Sequence, residues 1–150
     1  MSAMACQRCE SVRKKRGIWL LPLCVVLLTG CKSIAYAPSS YTGAGGTAVS
    51  LSVEEGTVTS AGLVLQIQNL TDLPIAYDAV YTLERRMNGA WYRLAWDESF
   101  NALGMILDEN GENTCEIEFF EPLEKGEYRI IKAFSMQSQR IEADAEFSVE

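Results

Sequence analysis

An antiparallel β-sandwich of about seven strands is the fold that the sequence predicts for residues 48–150. Apolar residues recur at every second position in seven short runs. Turn-forming residues separate the runs, and no stretch holds a convincing 3.6-residue period. Period-two runs are half-buried strands with one wet face, and several of them spaced by turns make a two-layer all-β domain.

The runs follow in order. Ala48–Val53 alternates apolar and polar, and Leu63, Leu65 and Ile67 share a face of the second run. Tyr77, Ala79, Tyr81 and Leu83 line a third, read as one strand. Residues 91–96 form a fourth, with Trp91 expected in the core. Cys115, Ile117 and Phe119 oppose Glu116 and Glu118 in a fifth; Tyr128, Ile130, Lys132 and Phe134 line a sixth. Ile141, Ala143, Ala145, Phe147 and Val149 line the last, opposite a row of acids. Glu98–Leu107 reads as a loop or short strand. Asn88-Gly89 suits the positive φ angles of a two-residue hairpin, and Asp108–Asn113 reads as a second pairing turn. In Leu123-Glu124-Lys125-Gly126-Glu127-Tyr128, the tyrosine after a glycine turn is placed for its hydroxyl to bond back to the upstream backbone. This resembles the tyrosine corner of immunoglobulin-like folds.

The amino-terminal third has a different character. Residues 1–30 carry five cations against one anion, whereas residues 31–150 carry eight against nineteen, and the whole 150-residue chain has a net charge of -7. The basic run Arg13–Arg16 precedes an apolar stretch, Ile18–Leu28. That stretch is well short of the roughly 20 residues a spanning helix needs, so it reads as a secretion signal. Leu28-Thr29-Gly30-Cys31 closes it and resembles the lipobox of bacterial lipoproteins. The resemblance implies a diacylglyceryl group on the Cys31 sulfur and cleavage between Gly30 and Cys31. Two acyl chains give stable anchoring where one holds only marginally. The expected product is a 120-residue protein on the extracytoplasmic face of the cell membrane.

The expected organisation is thus a signal peptide over 1–30, a lipidated cysteine and flexible linker over 31–47, and a β-domain over 48–150. The linker, rich in Gly, Ser and Ala, would reach roughly 20–24 Å if it behaved as a flexible coil. Cys6, Cys9 and Cys24 leave with the signal and Cys31 is occupied by lipid. Cys115 is then the sole free cysteine, and it reads as a small buried hydrophobe.

Residues 49–149 also resemble a bacterial immunoglobulin-like domain family. The resemblance rests on Gln68-Asn69, Tyr77, Gly89-Ala90-Trp91-Tyr92, Phe100-Asn101-Ala102, Gly126-x-Tyr128-Arg129-x-x-Lys132 and Ala145-Glu146-Phe147. It implies the immunoglobulin-like sandwich and brings no catalytic residues with it.

Composition narrows the function. The chain has no histidine, which excludes Ser-His and Cys-His nucleophile pairs and His-ligated zinc. A net acidic chain is a poor partner for the phosphate backbone, so no nucleic acid is expected. No cofactor or metal is expected. Glu116, Glu118 and Glu121 present carboxylates of the kind glycosidases pair, but the first two fit better as a solvated strand face. The Asp108–Asn113 loop is oxygen-rich without the twelve-residue spacing of an EF-hand. Arg85-Arg86 reads as a solvated hairpin tip. Trp96 and Phe100 are the candidate partner surface, since exposed aromatics concentrate binding energy.

The reading is a lipid-anchored, non-catalytic binding or scaffolding module facing an envelope protein or cell-wall ligand. A hydrolase using surface carboxylates and an assembly accessory working through an edge strand are the alternatives. Replacing Cys31 with Ser should leave an uncleaved, acyl-free precursor, read by intact mass of the membrane fraction; normal processing of that variant contradicts the lipobox.

Overall fold

The computed structural model describes residues 34–43, 47–96, 100 and 103–150. The signal segment 1–30 and Cys31 lie outside the described residues. The strands are β1 (Ala35–Pro38), β2 (Val49–Val53), β3 (Gly62–Asn69), β4 (Ile75–Tyr77) and β5 (Thr82–Met87). They continue with β6 (Ala90–Ala95), β7 (Met105–Leu107), β8 (Glu112–Glu118), β9 (Gly126–Met136) and β10 (Gln139–Val149). They form two antiparallel sheets, as expected of a sandwich. The smaller sheet runs β2-β3-β8. In the larger, β9 pairs along its whole length with β10 and on its other side with β5 and β4 in succession; β6 and β1 follow β5, and β7 follows β4.

The core lies where the alternation places it. Leu63, Leu65 and Ile67 from β3 and Ile117 from β8 face Leu83, Tyr128, Ile130, Phe134, Ala145 and Phe147 from the larger sheet. The Phe147 ring stacks on both Phe119 and Tyr128, with centroids 6.0 and 5.7 Å away. Gly62 is needed by close approach, because a Cβ there would sit 2.3 Å from the Ile117 carbonyl oxygen of the neighbouring strand.

Ten strands stand among the described residues where about seven were expected, and the differences have physical causes. The run Tyr77–Leu83 is not one strand. It breaks into β4 and β5, because Lys132 pulls the carbonyls of Asp78 and Val80 away from the sheet ladder. β7 lies inside the stretch read as a loop or short strand. The turn 108–113 does not pair its flanking strands. β7 pairs β4 in one sheet and β8 pairs β3 in the other, so this turn crosses between layers. Buried Asn69 fixes the crossing: its amide donates to the carbonyls of Leu73 and Asp108 at 2.7 and 2.8 Å, and its oxygen accepts from Thr71.

Asn88 and Gly89, at φ 52° and 81°, form the expected hairpin between β5 and β6. A second hairpin, at Gln137-Ser138, also holds two positive φ angles (47° and 69°), there on residues with no such preference. Within the segment expected as a linker, a short strand is present near the start. Ala35–Pro38 pairs β6 as an edge strand, and Ile34 packs against the core.

The tyrosine corner is present. Tyr128 Oη donates to the Glu124 carbonyl at 2.9 Å. The Arg85 guanidinium lies over the same ring and donates to the Lys125 carbonyl at 2.9 Å and the Glu124 carboxylate at 2.7 Å. Arg85 is therefore a clamp on the corner and not part of a solvated tip; its hydrogen bond to Glu124, foremost, holds its pKa above the ordinary value. Tyr128→Phe should keep the stacking, lose the corner bond and cost about 0.5–1.5 kcal/mol, read as a lower urea midpoint with an unchanged m-value.

Candidate functional site

Strand β9 carries the residues that organise both faces of the larger sheet. One face of β9 presents Tyr128, Ile130, Lys132 and Phe134 to the core; the other presents Arg129 and Ile131, which are also buried. A strand buried on both sides cannot leave its charges to water, so each must find a partner inside the protein.

On the outer face Arg129 pairs with Glu84. Arg129 Nη2 and Nε donate to the same Glu84 carboxylate oxygen at 2.6 and 2.8 Å, and the two side chains are 7% and 2% exposed. Strand register extends the pair into an alternating row, Arg93 (β6), Glu84 (β5), Arg129 (β9), Glu146 (β10). The guanidinium is sandwiched between Trp91 and Tyr41, 4.5 and 4.9 Å from the ring centroids. Trp91 is thus half-buried on the outer face and does not enter the core as expected. Tyr41 comes from the segment expected to be a flexible linker. Its hydroxyl donates to Asp144 at 2.8 Å, and burial followed by that bond pushes its pKa up.

On the core face Lys132 is 2% exposed. Its Nζ donates to the carbonyls of Asp78 and Val80 at 2.7 and 3.1 Å and stands 5.8 Å from the Tyr77 ring centroid. Burial depresses its pKa. Tyr77 Oη accepts from the Asn113 amide, which also points at the Cys115 sulfur.

Lys132 forms the floor of a cleft of about 520 Å³ that opens between β8 and the β4–β5 connection. Cys115 and Ile117 line one wall, and Tyr81, Phe100, Met105 and Phe120 build the rest. Cys115 is half-buried there, at the wall of a cleft and not deep in the core. At the mouth the aromatics interlock: Phe120 lies 5.0 Å from Phe100 and 5.7 Å from Trp96, both edge-on, and Tyr81 lies 4.9 Å from Phe100. Tyr81 donates to the Glu118 carbonyl at 2.9 Å, and burial raises its pKa to about 12. Both members of the expected partner surface, Trp96 and Phe100, therefore sit half-buried in one cluster. The indole N–H of Trp96 is buried without a hydrogen-bond partner.

The other candidates are dispersed. Glu116 and Glu118 project side by side from the exposed face of β8 at the cleft's rim. In the 108–113 turn the Asp108 carbonyl accepts from both Asn69 and Gly111, which gives the loop a structural task. No group of three or more acids and cysteines placed to hold a metal occurs among the described residues. Lys132 was visible in the sequence as a core-facing position; its carbonyl partners were not. Ser39 and Tyr41 carried no signal, being set among small polar residues.

These features define an immunoglobulin-like sandwich whose signature strand is devoted to holding the fold. The family model for the bacterial Ig-like domain matches residues 45–148, and the chain belongs to that family. The match starts beyond β1 and Tyr41. Among solved structures, the archaellum periplasmic stator protein FlaG from Sulfolobus acidocaldarius is 13% identical, over 67% of this chain and 98% of that one, with a TM-score of 0.38. A search of curated proteins returns no match.

Glu84→Gln should cost about 3–5 kcal/mol by stranding Arg129 in a buried site, and Glu84→Leu with Arg129→Met should recover most of it. Denaturant midpoints of the two variants check this.

Proposed function

We propose that this protein is a lipid-anchored, extracytoplasmic immunoglobulin-like module that binds or scaffolds a component of the cell envelope and carries out no chemistry of its own. The observation that carries the reading is the contrast between its charged groups and its cleft. Arg85, Arg129 and Lys132 are each committed to internal partners that hold the fold. The cleft, by contrast, is lined by the clustered aromatics Tyr81, Phe100 and Phe120, with Trp96 packed edge-on against Phe120. Aromatic rings supply large contact area at small entropic cost.

The lipobox at Leu28–Cys31 supports the anchor and the extracytoplasmic location. The hydrolase alternative needs two carboxylates facing one another across a substrate, whereas Glu116 and Glu118 stand on the same side of one strand.

Trp96→Ala with Phe100→Ala should abolish the envelope cross-links of the full-length chain in intact cells while leaving its membrane fractionation unchanged. An unaltered cross-linking pattern would remove the cleft mouth as the binding surface. Glycan or peptide cleavage that disappears in Glu116→Gln would replace the reading with an enzymatic one.

A further inference from the structure

The cleft has two zones of opposite character, and together they specify what can fill it. Inside, Tyr81, Met105, Ile117 and Phe120 give it apolar walls around a volume of about 520 Å³. Its floor is Lys132, whose ammonium is buried and turned to the carbonyls of Asp78 and Val80. The opening, by contrast, is flanked by carboxylates from two elements. Glu116 and Glu118 stand exposed on β8, and Asp78 is half-buried in the β4–β5 connection. β8 is an edge strand, so no neighbouring strand screens its two acids from the opening.

These acids differ from others on the domain in lacking a cation. Glu84, Glu124, Glu127 and Glu142 pair with Arg129, Arg85, Arg86 and Arg140. Asp78, Glu116 and Glu118 enter no ion pair among the described residues. Unmatched like charges beside a cavity with low-dielectric walls concentrate the opposite charge there and speed its encounter. The ammonium at the floor acts in the other sense. A second cation pushed in against it would lose its hydration and meet strong repulsion. The order of an occupant is therefore fixed: an apolar group goes in first, and cations stay behind at the rim.

We propose that the component engaged at this cleft is a basic polypeptide segment, which inserts one large apolar side chain between Tyr81, Ile117 and Phe120 and sets flanking Lys or Arg side chains against Glu116, Glu118 and Asp78. This deepens the function proposed above and rests on the cleft being the contact surface. A neutral glycan brings no cations to the rim, and an acidic segment is repelled by it. The apolar insertion holds the segment, while the rim selects it and makes the contact weaken with salt.

Three short peptides test this. Each carries benzoylphenylalanine at its centre, flanked on both sides by lysines, glutamines or glutamates. The central residue is the apolar tip and, on illumination, couples to C–H groups it touches. The full-length protein as isolated from cells is held in phosphatidylcholine vesicles, whose headgroups carry no net charge, and adducts are mapped by peptide mass. The lysine peptide should label residues 81, 105 and 115–120, in about three- to tenfold greater yield than the glutamine peptide at low salt. The glutamate peptide should label them least. The excess should shrink toward parity at about 0.5 M salt. Glu116→Gln with Glu118→Gln should remove most of the excess while the glutamine peptide labels the cleft as before, which shows the variant folded. Equal labelling of the cleft by all three peptides overturns the basic segment and leaves the cleft standing as a contact surface. Lysine-peptide adducts confined to acidic positions outside the cleft overturn it as well, because they report only the attraction of an acidic domain. Labelling of the cleft by none of the three overturns the proposal. The in-cell cross-links of Trp96→Ala with Phe100→Ala then decide separately whether the function proposed above survives.

Discussion

Burial of β9 on both faces is the constraint from which the rest of this structure follows. A central strand with one wet face tolerates a charged residue at every second position. β9 has no wet face between Tyr128 and Lys132, yet it carries two cations there. Each ion needs compensation close to its charged head, since a desolvated charge without a partner is among the costliest things a core can hold. Arg129 draws Glu84 into the sheet and two aromatic rings onto its faces. Lys132 draws in the carbonyls of Asp78 and Val80, and those carbonyls can no longer serve a ladder. The division of one expected strand into β4 and β5 is thus the consequence of a lysine more than fifty positions away.

The same logic explains why the amino-terminal segment does not behave as its composition suggests. Small polar residues with several glycines ordinarily cannot bury enough surface to offset the entropy of ordering. Residues 35–41 escape this because a ready-made template waits for them. The edge of β6 offers unpaired backbone groups to Ala35–Pro38, and the guanidinium of Arg129 offers a flat cationic surface to Tyr41. Ser39 adds a hydrogen bond from Arg129 at 3.2 Å. Covering β6 also replaces its six-residue edge with the four-residue β1, which ends on a proline, and a short edge with Pro is less open to pairing with another chain.

What was legible in the sequence was whatever depended on neighbours in the chain. The alternation of Leu63, Leu65 and Ile67 states which face is buried without reference to any partner. Asn88-Gly89 specifies a hairpin because those two residues tolerate positive φ. Tyr128 reaches a carbonyl only four residues back, so the corner could be read locally. The features that were missed depend on distant residues. Gln137-Ser138 adopts positive φ angles only because two eleven-residue strands in strict register leave nothing else for the connection. Trp91 looked like a core residue because nothing near it in the chain announces Arg129. The aromatic cluster was half legible: Trp96 and Phe100 were named, but Phe120, which joins them, comes from across the cleft.

The free edge of the smaller sheet bears on how the cleft can be used. β8 is an edge strand, and its outward positions Glu112, Glu116 and Glu118 are acidic and exposed. A row of like charges along an edge opposes pairing with another strand, because an incoming neighbour would have to desolvate them or match them with cations. These carboxylates therefore act as guards of the edge, and the contact surface proposed for this side is the aromatic cluster beyond it. That separates two modes of recognition that an open sandwich otherwise offers together. Backbone addition along β8 is disfavoured for any partner that is not basic, while insertion of an apolar group among Phe100, Phe120 and Trp96 carries no such penalty. The charge pattern on one strand thus favours the aromatic cluster over backbone addition along β8 for the proposed contact.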